Sequence, residues 1–253
     1  MGKKKNDSAI ITSRKTTKPT KSKSKPGSAI MRRETANWES DKIPPALHFE
    51  PLHYSLHAKQ LHDKIFALPC FLTPAECQRV CSFAEQEGYE RVTQRASREY
   101  TFLDNDRLLL RLPAFAELLW KRMQPHVPVE CAGMHAVGLN PAIRLYRYKT
   151  GQMFGCHVDQ SDVDRMTGYH SRFTVLVYLN DSTDSDLQGG NTIFYSDETS
   201  TNKEQVLLSV APKTGLALVH GHGDQCLPHE GALVTRGAKY LLRTDVMYSK
   251  KDK

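Results

Sequence analysis

From Ala142 onward the chain is a succession of short apolar runs, IRLYRY, FTVLVYL, NTIFY, QVLLSV, LALVH and KYLLRTDVMY, each separated from the next by Gly, Pro, Asp or Asn. Runs of this kind, rich in β-branched and aromatic residues and bounded by turn residues, predict strands. Ahead of them, IFALPC predicts a strand and FLTPAECQRVCSFAEQEGYE a helix. Thr73 can cap that helix, Pro74 suits its first position, Glu76 completes a capping box and Gly88 marks its end. Cys77, Val80, Cys81 and Ala84 then share one helical face. A second helix is expected over PAFAELLWKRM, residues 113–123, with Phe115, Leu118, Leu119 and Arg122 near one stripe. Helices followed by many strands give an α+β, mainly β, fold class, with the helices packed on a sandwich or jelly roll. No internal repeat is present.

The 253 residues are 39% hydrophobic and 25% charged, which excludes a fibrous or wholly disordered chain. No window holds the roughly 18 consecutive apolar residues of a spanning helix, and the N-terminal stretch has no apolar core of a secretory signal. Neither membrane insertion nor export is expected, so the setting is intracellular, nuclear or cytoplasmic, with the six cysteines kept as thiols. Residues 1–35 hold eleven Lys or Arg against Asp7 and Glu34, a net of +9, so the other 218 residues carry −2 of the chain's +7. The basicity belongs to a tail, 1–36, that is Lys-, Ser-, Thr- and Pro-rich, without an aromatic residue, and expected to be disordered. It reads equally as a nuclear-import or polyanion-binding arm and as a solubilising extension. A connector, 37–61, a helical and strand support region, 62–135, and a catalytic domain, 136–249, would follow.

His157 and Asp159 are two residues apart, so in extended backbone an imidazole and a carboxylate leave the same face. His229, in LPHEG, follows 70 residues after Asp159. Two imidazole nitrogens and one carboxylate oxygen on one face of an octahedron form the facial triad of non-haem Fe(II) oxygenases, with three positions left open. In a chain with 11 His and 28 acids, His-x-Asp by itself also fits a surface loop. Lys239, ten residues after His229, could pair with the remote carboxylate of a chelated dicarboxylate. His220 and His222 offer a rival metal pair at strand spacing, with a packing role the favoured alternative. Cys70, Cys77 and Cys81 read as buried thiols, since no second Cys or His pair completes a zinc site. Asn105, Asp106 and Arg107, between the helices, read as structural.

The runs YKTGQMFGCHVDQS, FTVLVYLND, GGNTIFY, PKTGLALVHGH and PHEGALVTRGAKYLLRTDVMY resemble, in order and spacing, the Fe(II)/2-oxoglutarate dioxygenase domain of the prolyl 4-hydroxylase type. FLTPAECQRVCSFAEQEGY is similar to the segment preceding that domain, so the resemblance covers roughly residues 66–248. It implies a double-stranded β-helix (jelly-roll, cupin-like) core with flanking N-terminal helices. It makes His157, Asp159 and His229 the iron ligands and Lys239 the partner of the 2-oxoglutarate C5 carboxylate. Tyr148 and Tyr178 would line the cosubstrate pocket, although both also fit as core tyrosines with bonded hydroxyls. Arg243, on the face of Lys239, is either a second carboxylate contact or a salt bridge to an acid of the sheet. Gly189 and Gly190 match a structural turn. The implied activity is hydroxylation of an intracellular substrate, a prolyl or other protein residue, using O₂ and 2-oxoglutarate with release of succinate and CO₂. L-ascorbate (vitamin C) would restore oxidised iron. The competing readings are a catalytically silent binding module and a 2-oxoglutarate-dependent nucleic-acid demethylase engaging nucleic acid through the tail. Oligomeric state is left open.

Overall fold

The structure, a computed structural model, describes residues 38–97, 100–183, 185–196 and 205–250. The basic tail expected over 1–36 lies outside the described residues. The elements that position the site are, in chain order, β1 (Ile65–Leu68), α1 (Pro74–Glu87), β2 (Leu103–Arg111), α2 (Pro113–Met123), β3 (Ala142–Lys149), β4 (Met153–His157), β5 (His170–Tyr178), β6 (Thr192–Tyr195), β7 (Val206–Val210), β8 (Ala217–Gly221), β9 (His229–Gly231) and β10 (Ala238–Ser249).

These strands form one antiparallel sheet in the order β7-β6-β9-β4-β2-β3-β10-β5-β8-β1. The sheet curls until its two ends face one another: the ring of Phe194 on β6 lies 5.4 Å from that of His220 on β8, edge to face. This is the nearly closed jelly-roll barrel of the double-stranded β-helix. Alternation along the strands sorts side chains between two cores. On β5, Val175 and Val177 face outward with Leu242 and Val246 of β10, into a core shared with α1 and α2. Leu176 and Tyr178 face inward with Leu241, Phe194 and Tyr148. The outward core buries Cys77, Val80 and Ala84 of α1 and Phe115 and Leu119 of α2, which is why the helices need an apolar stripe.

The caps read from sequence are formed. Thr73 Oγ1 accepts from the Glu76 amide at 3.2 Å, and the Glu76 carboxylate accepts from the Thr73 amide at 2.8 Å. The same carboxylate receives both Nη groups of Arg122 at 2.9 and 2.8 Å, so one buried ion pair locks α1 to α2. Gly88 ends α1 with φ 88°. The connector packs on this layer, with Leu47 and Phe49 buried and the Phe49 ring edge-on to Phe115 at 5.3 Å.

One expectation is corrected. Cys70 is exposed, in a turn with φ 57°, while Cys77 is buried and Cys81 partly so. Pro69 and the left-handed turn carry its side chain out of the core. Asn105, Asp106 and Arg107 belong to a nine-residue strand at the middle of the sheet, paired to β3 and β4. The polar run Asp104-Asn105-Asp106-Arg107 hides that strand from a reading based on β propensity. Its carboxylates are tolerated because they are paired: Asp104 with Arg91 at 2.9 Å and Asp106 with Arg147 at 2.7 Å. Through β1 and β2, the region 62–135 thus supplies strands to the barrel itself.

Candidate active site

Strand pairing assembles the candidate metal centre. His229, at the start of β9, is the cross-strand partner of His157, at the end of β4, and their rings lie 4.3 Å apart. The strand stops at His157, and two residues on the chain has turned enough to bring Asp159 back to the same point. Asp159 Oδ1 lies 3.5 Å from His157 Nε2, and Oδ2 lies 3.9 Å from His229 Nε2. One ligand atom from each of the three falls within 4.8 Å of the others, a spacing that can hold a metal ion.

Hydrogen bonds behind the centre prepare its donors. His157 Nδ1 lies 2.9 Å from the Gly155 carbonyl and His229 Nδ1 lies 3.0 Å from the Leu227 carbonyl. A carbonyl can only accept, so each Nδ1 carries the proton and each Nε2 presents a lone pair toward Asp159. Burial, with His157 and His220 nearby, holds the His229 pKa well below the ordinary histidine value, which keeps its lone pair free at neutral pH. Burial would raise the Asp159 pKa, but the Arg243 guanidinium outweighs it and holds the carboxyl well below the usual range. Asp159 is therefore a carboxylate. Its Oδ2 accepts from Thr174 Oγ1 at 2.6 Å and Arg243 Nη2 at 3.0 Å, so Oδ1 is the freer of its two oxygens. Phe154 stacks on His157 at 3.8 Å and fixes the ring plane.

A cavity opens from this centre into the barrel. Phe154, Leu176 and Leu241 form its apolar walls, and Tyr148, Thr192 and Lys239 its polar end. Lys239 is opposite Tyr148 across β10 and β3, and is 2% exposed. Its Nζ donates to the Gly190 carbonyl at 2.6 Å, and among the described residues no carboxylate pairs with it. Burial alone lowers its pKa to about 7. The approach needs glycine at 190: the residue has φ 72°, and a Cβ there would stand 3.1 Å from Lys239 Cδ. A buried ammonium without a counter-ion is costly and fits a cavity that receives an anion.

The other expected residues are placed as follows. Tyr148 lines the cavity, and its hydroxyl oxygen accepts from Asn105 Nδ2 at 3.0 Å. Tyr178 stands behind the cavity wall with its hydroxyl donated to Thr192 Oγ1 at 2.7 Å, so Thr192 presents the polar surface. Arg243 borders the cavity, but its guanidinium is bonded to Asp159 and Thr174 and lies 3.7 Å from Asp245, the salt-bridge alternative. His222 packs behind the centre, with Nε2 2.7 Å from Thr174 Oγ1. His220, Cys226 and His229 also lie within metal-binding distance of one another. Burial pushes the Cys226 thiol up to about 12, so in the absence of metal it stays protonated, and the His229 Nδ1 proton is already committed to Leu227. That trio is a packing contact. Sequence reasoning missed Thr174 and Thr192, neutral residues without a spacing signature, and read Asn105 as structural only.

Residues 143–244 match the 2OG-Fe(II) oxygenase superfamily, a span that contains all seven expected site residues. No curated protein matches the chain. Among solved structures, a prolyl hydroxylase from Trichoplax adhaerens, in complex with a hypoxia inducible factor oxygen degradation domain peptide fragment, superposes with TM-score 0.52 at 15% identity, covering 75% of this chain and 84% of that one. A viral collagen prolyl hydroxylase from Paramecium Bursaria Chlorella virus-1 gives TM-score 0.49 at 16% identity, over 74% and 97% of the two chains. A Pseudomonas putida prolyl-4-hydroxylase gives TM-score 0.45 at 17% identity, over 75% and 94%. The class defined here is an Fe(II)- and 2-oxoglutarate-dependent dioxygenase, built on the fold shared with the Trichoplax prolyl hydroxylase. The chain is similar to the 2OG-Fe(II) oxygenase superfamily over the domain at 143–244.

Proposed function

We propose that this dioxygenase hydroxylates a residue of a protein substrate, a prolyl side chain in first place, and that His157, Asp159 and His229 hold its iron. The observation that carries this reading is the pairing of two features in one cavity: a two-imidazole, one-carboxylate donor set at one end and an unpaired buried ammonium at the other. That donor set suits Fe(II), and a 2-oxo dicarboxylate is the molecule with a chelating end for the metal and a remote carboxylate for Lys239. When bound, iron and 2-oxoglutarate supply the oxidation, in which one oxygen of O₂ enters succinate as CO₂ leaves and the other enters the substrate.

The chain's own part is binding, orientation and exclusion of water. The Gly155 and Leu227 carbonyls hold both imidazoles in the ligating tautomer. Thr174 and Arg243 occupy Asp159 Oδ2, leaving Oδ1 to ligate singly. Lys239 takes the far carboxylate, Arg243 borders the metal end, and Tyr178 supports the pocket through Thr192. Phe154, Leu176 and Leu241 keep the cavity dry, which strengthens each charge interaction within it. Ascorbate belongs to this reading as the reductant of iron oxidised in unproductive cycles. Prolyl peptides are favoured by the fold shared with the peptide-bound Trichoplax enzyme. An intracellular setting is supported by six unpaired cysteines. No helix among the described residues is long and apolar enough to cross a membrane.

The expected result with Fe(II), 2-oxoglutarate, ascorbate and a panel of prolyl peptides is succinate formed in step with a peptide mass gain of one oxygen. Succinate formation stimulated by a methylated oligonucleotide, and by no peptide, would overturn the substrate class while leaving the dioxygenase in place.

A further inference from the structure

Asn105 is 1% exposed on β2, and its Nδ2 donates to Tyr148 Oη at 3.0 Å while its own Oδ1 is buried without a partner. A phenol has one proton. Because Tyr148 accepts from Asn105, that proton is not spent on the amide, and no acceptor among the described residues takes it. Tyr148 lines the cavity opposite Lys239, whose Nζ is 5.6 Å from the phenol ring centre. Burial raises the Tyr148 pKa, so the proton stays in place at neutral pH. Were the amide reversed, Asn105 Oδ1 would capture the phenol proton, and Tyr148 would turn only lone pairs toward an incoming carboxylate.

We propose that Asn105 is a positioning residue for the cosubstrate: its amide fixes the polarity of Tyr148 so that the phenol O–H is donated into the cavity to a carboxylate of 2-oxoglutarate. This rests on the reading of the cavity given above. The orphaned Oδ1 of a nearly inaccessible side chain is the cost of keeping Nδ2 toward the tyrosine, and an apolar residue would avoid that cost if packing were the only demand.

The test is anaerobic calorimetric titration of 2-oxoglutarate into the Fe(II) protein, with thermal melting as a check on folding. Asn105→Ala frees the phenol to rotate and should weaken binding about fivefold, the order of one neutral hydrogen bond. Asn105→Asp keeps the shape, so it remains informative should the alanine variant unfold, but a carboxylate only accepts and takes the phenol proton. It should weaken binding about tenfold or more. In the Tyr148→Phe background, Asn105→Ala should add nothing, because the group it positions is gone. Asn105→Asp binding as tightly as wild type, or Asn105→Ala and Tyr148→Phe effects that simply multiply, would overturn the inference alone. A wild-type protein that binds no 2-oxoglutarate would overturn the cavity assignment and this inference together.

Discussion

His157→Ala is expected to reduce succinate formation to the level of a metal-free control while leaving the thermal unfolding transition close to that of wild type. The proposed triad supplies three donors, so losing one imidazole would leave two in a site that must also keep half of its coordination sphere open. His157 makes few structural commitments: a stacked Phe154, a backbone carbonyl and a side chain that is 15% exposed. Asp159→Ala should abolish turnover equally but behave differently in stability. Removing that carboxylate strands the Arg243 guanidinium with Asp245 alone, and deleting one partner of a buried pair costs about 3–5 kcal/mol. The two variants therefore separate iron ligation from scaffolding. If His157→Ala made as much succinate as wild type in saturating Fe(II), the ligand assignment would be wrong.

Lys239→Ala is expected to raise the 2-oxoglutarate Kd about 10- to 100-fold, the worth of one charge-assisted hydrogen bond in a dry site. It should do so while stabilising the ligand-free protein, because the buried ammonium has no counter-ion among the described residues. The pH dependence gives a second signature. The folded pKa of Lys239, about 7, lies below the ordinary lysine value of 10.5. Below pH 7 both folded and unfolded chains carry the charge, and the burial penalty is fully present. Between 7 and 10.5 the unfolded chain keeps a proton that the folded chain has lost, so stability rises with pH across that window. Cosubstrate affinity moves the opposite way, because the carboxylate needs the ammonium. Above pH 7 the wild-type Kd should climb toward a limit of about tenfold per pH unit, the slope for uptake of one proton. Lys239→Ala should be flat over the same range. An alanine variant that binds 2-oxoglutarate normally would move the anchor to Arg243, which the structure shows engaged with Asp159.

The helices and the strands after Ala142 were legible because each carries local signals: a capping box, a helix-terminal glycine, and apolar alternation bounded by turn residues. The three candidate ligands were legible only through the resemblance of the surrounding runs to the dioxygenase family, because His-x-Asp spacing alone also fits a surface loop; strand pairing then brings His157 and His229 face to face. What escaped notice depends on partners remote in sequence. The β2 strand carries four consecutive polar residues, Asp104 to Arg107, whose carboxylates are met by Arg91 and Arg147. Tyr178 carried a family role, but its hydroxyl is used on Thr192, on a strand that is not its neighbour in the sheet. Arg243 and Lys239 are indistinguishable as cations on one strand face. What separates them is that Asp159 reaches Arg243, whereas among the described residues no carboxylate reaches Lys239, whose Nζ donates to a backbone carbonyl.

The central claim is that one cavity takes Fe(II) at the triad and 2-oxoglutarate across the space to Lys239. Anaerobic addition of Fe(II) and then 2-oxoglutarate tests it without knowledge of the acceptor substrate. The expected result is a visible metal-to-ligand charge-transfer band that saturates with 2-oxoglutarate, is absent with succinate, and is lost in His157→Ala. A wild-type protein that binds Fe(II) yet develops no such band at saturating 2-oxoglutarate would contradict the account.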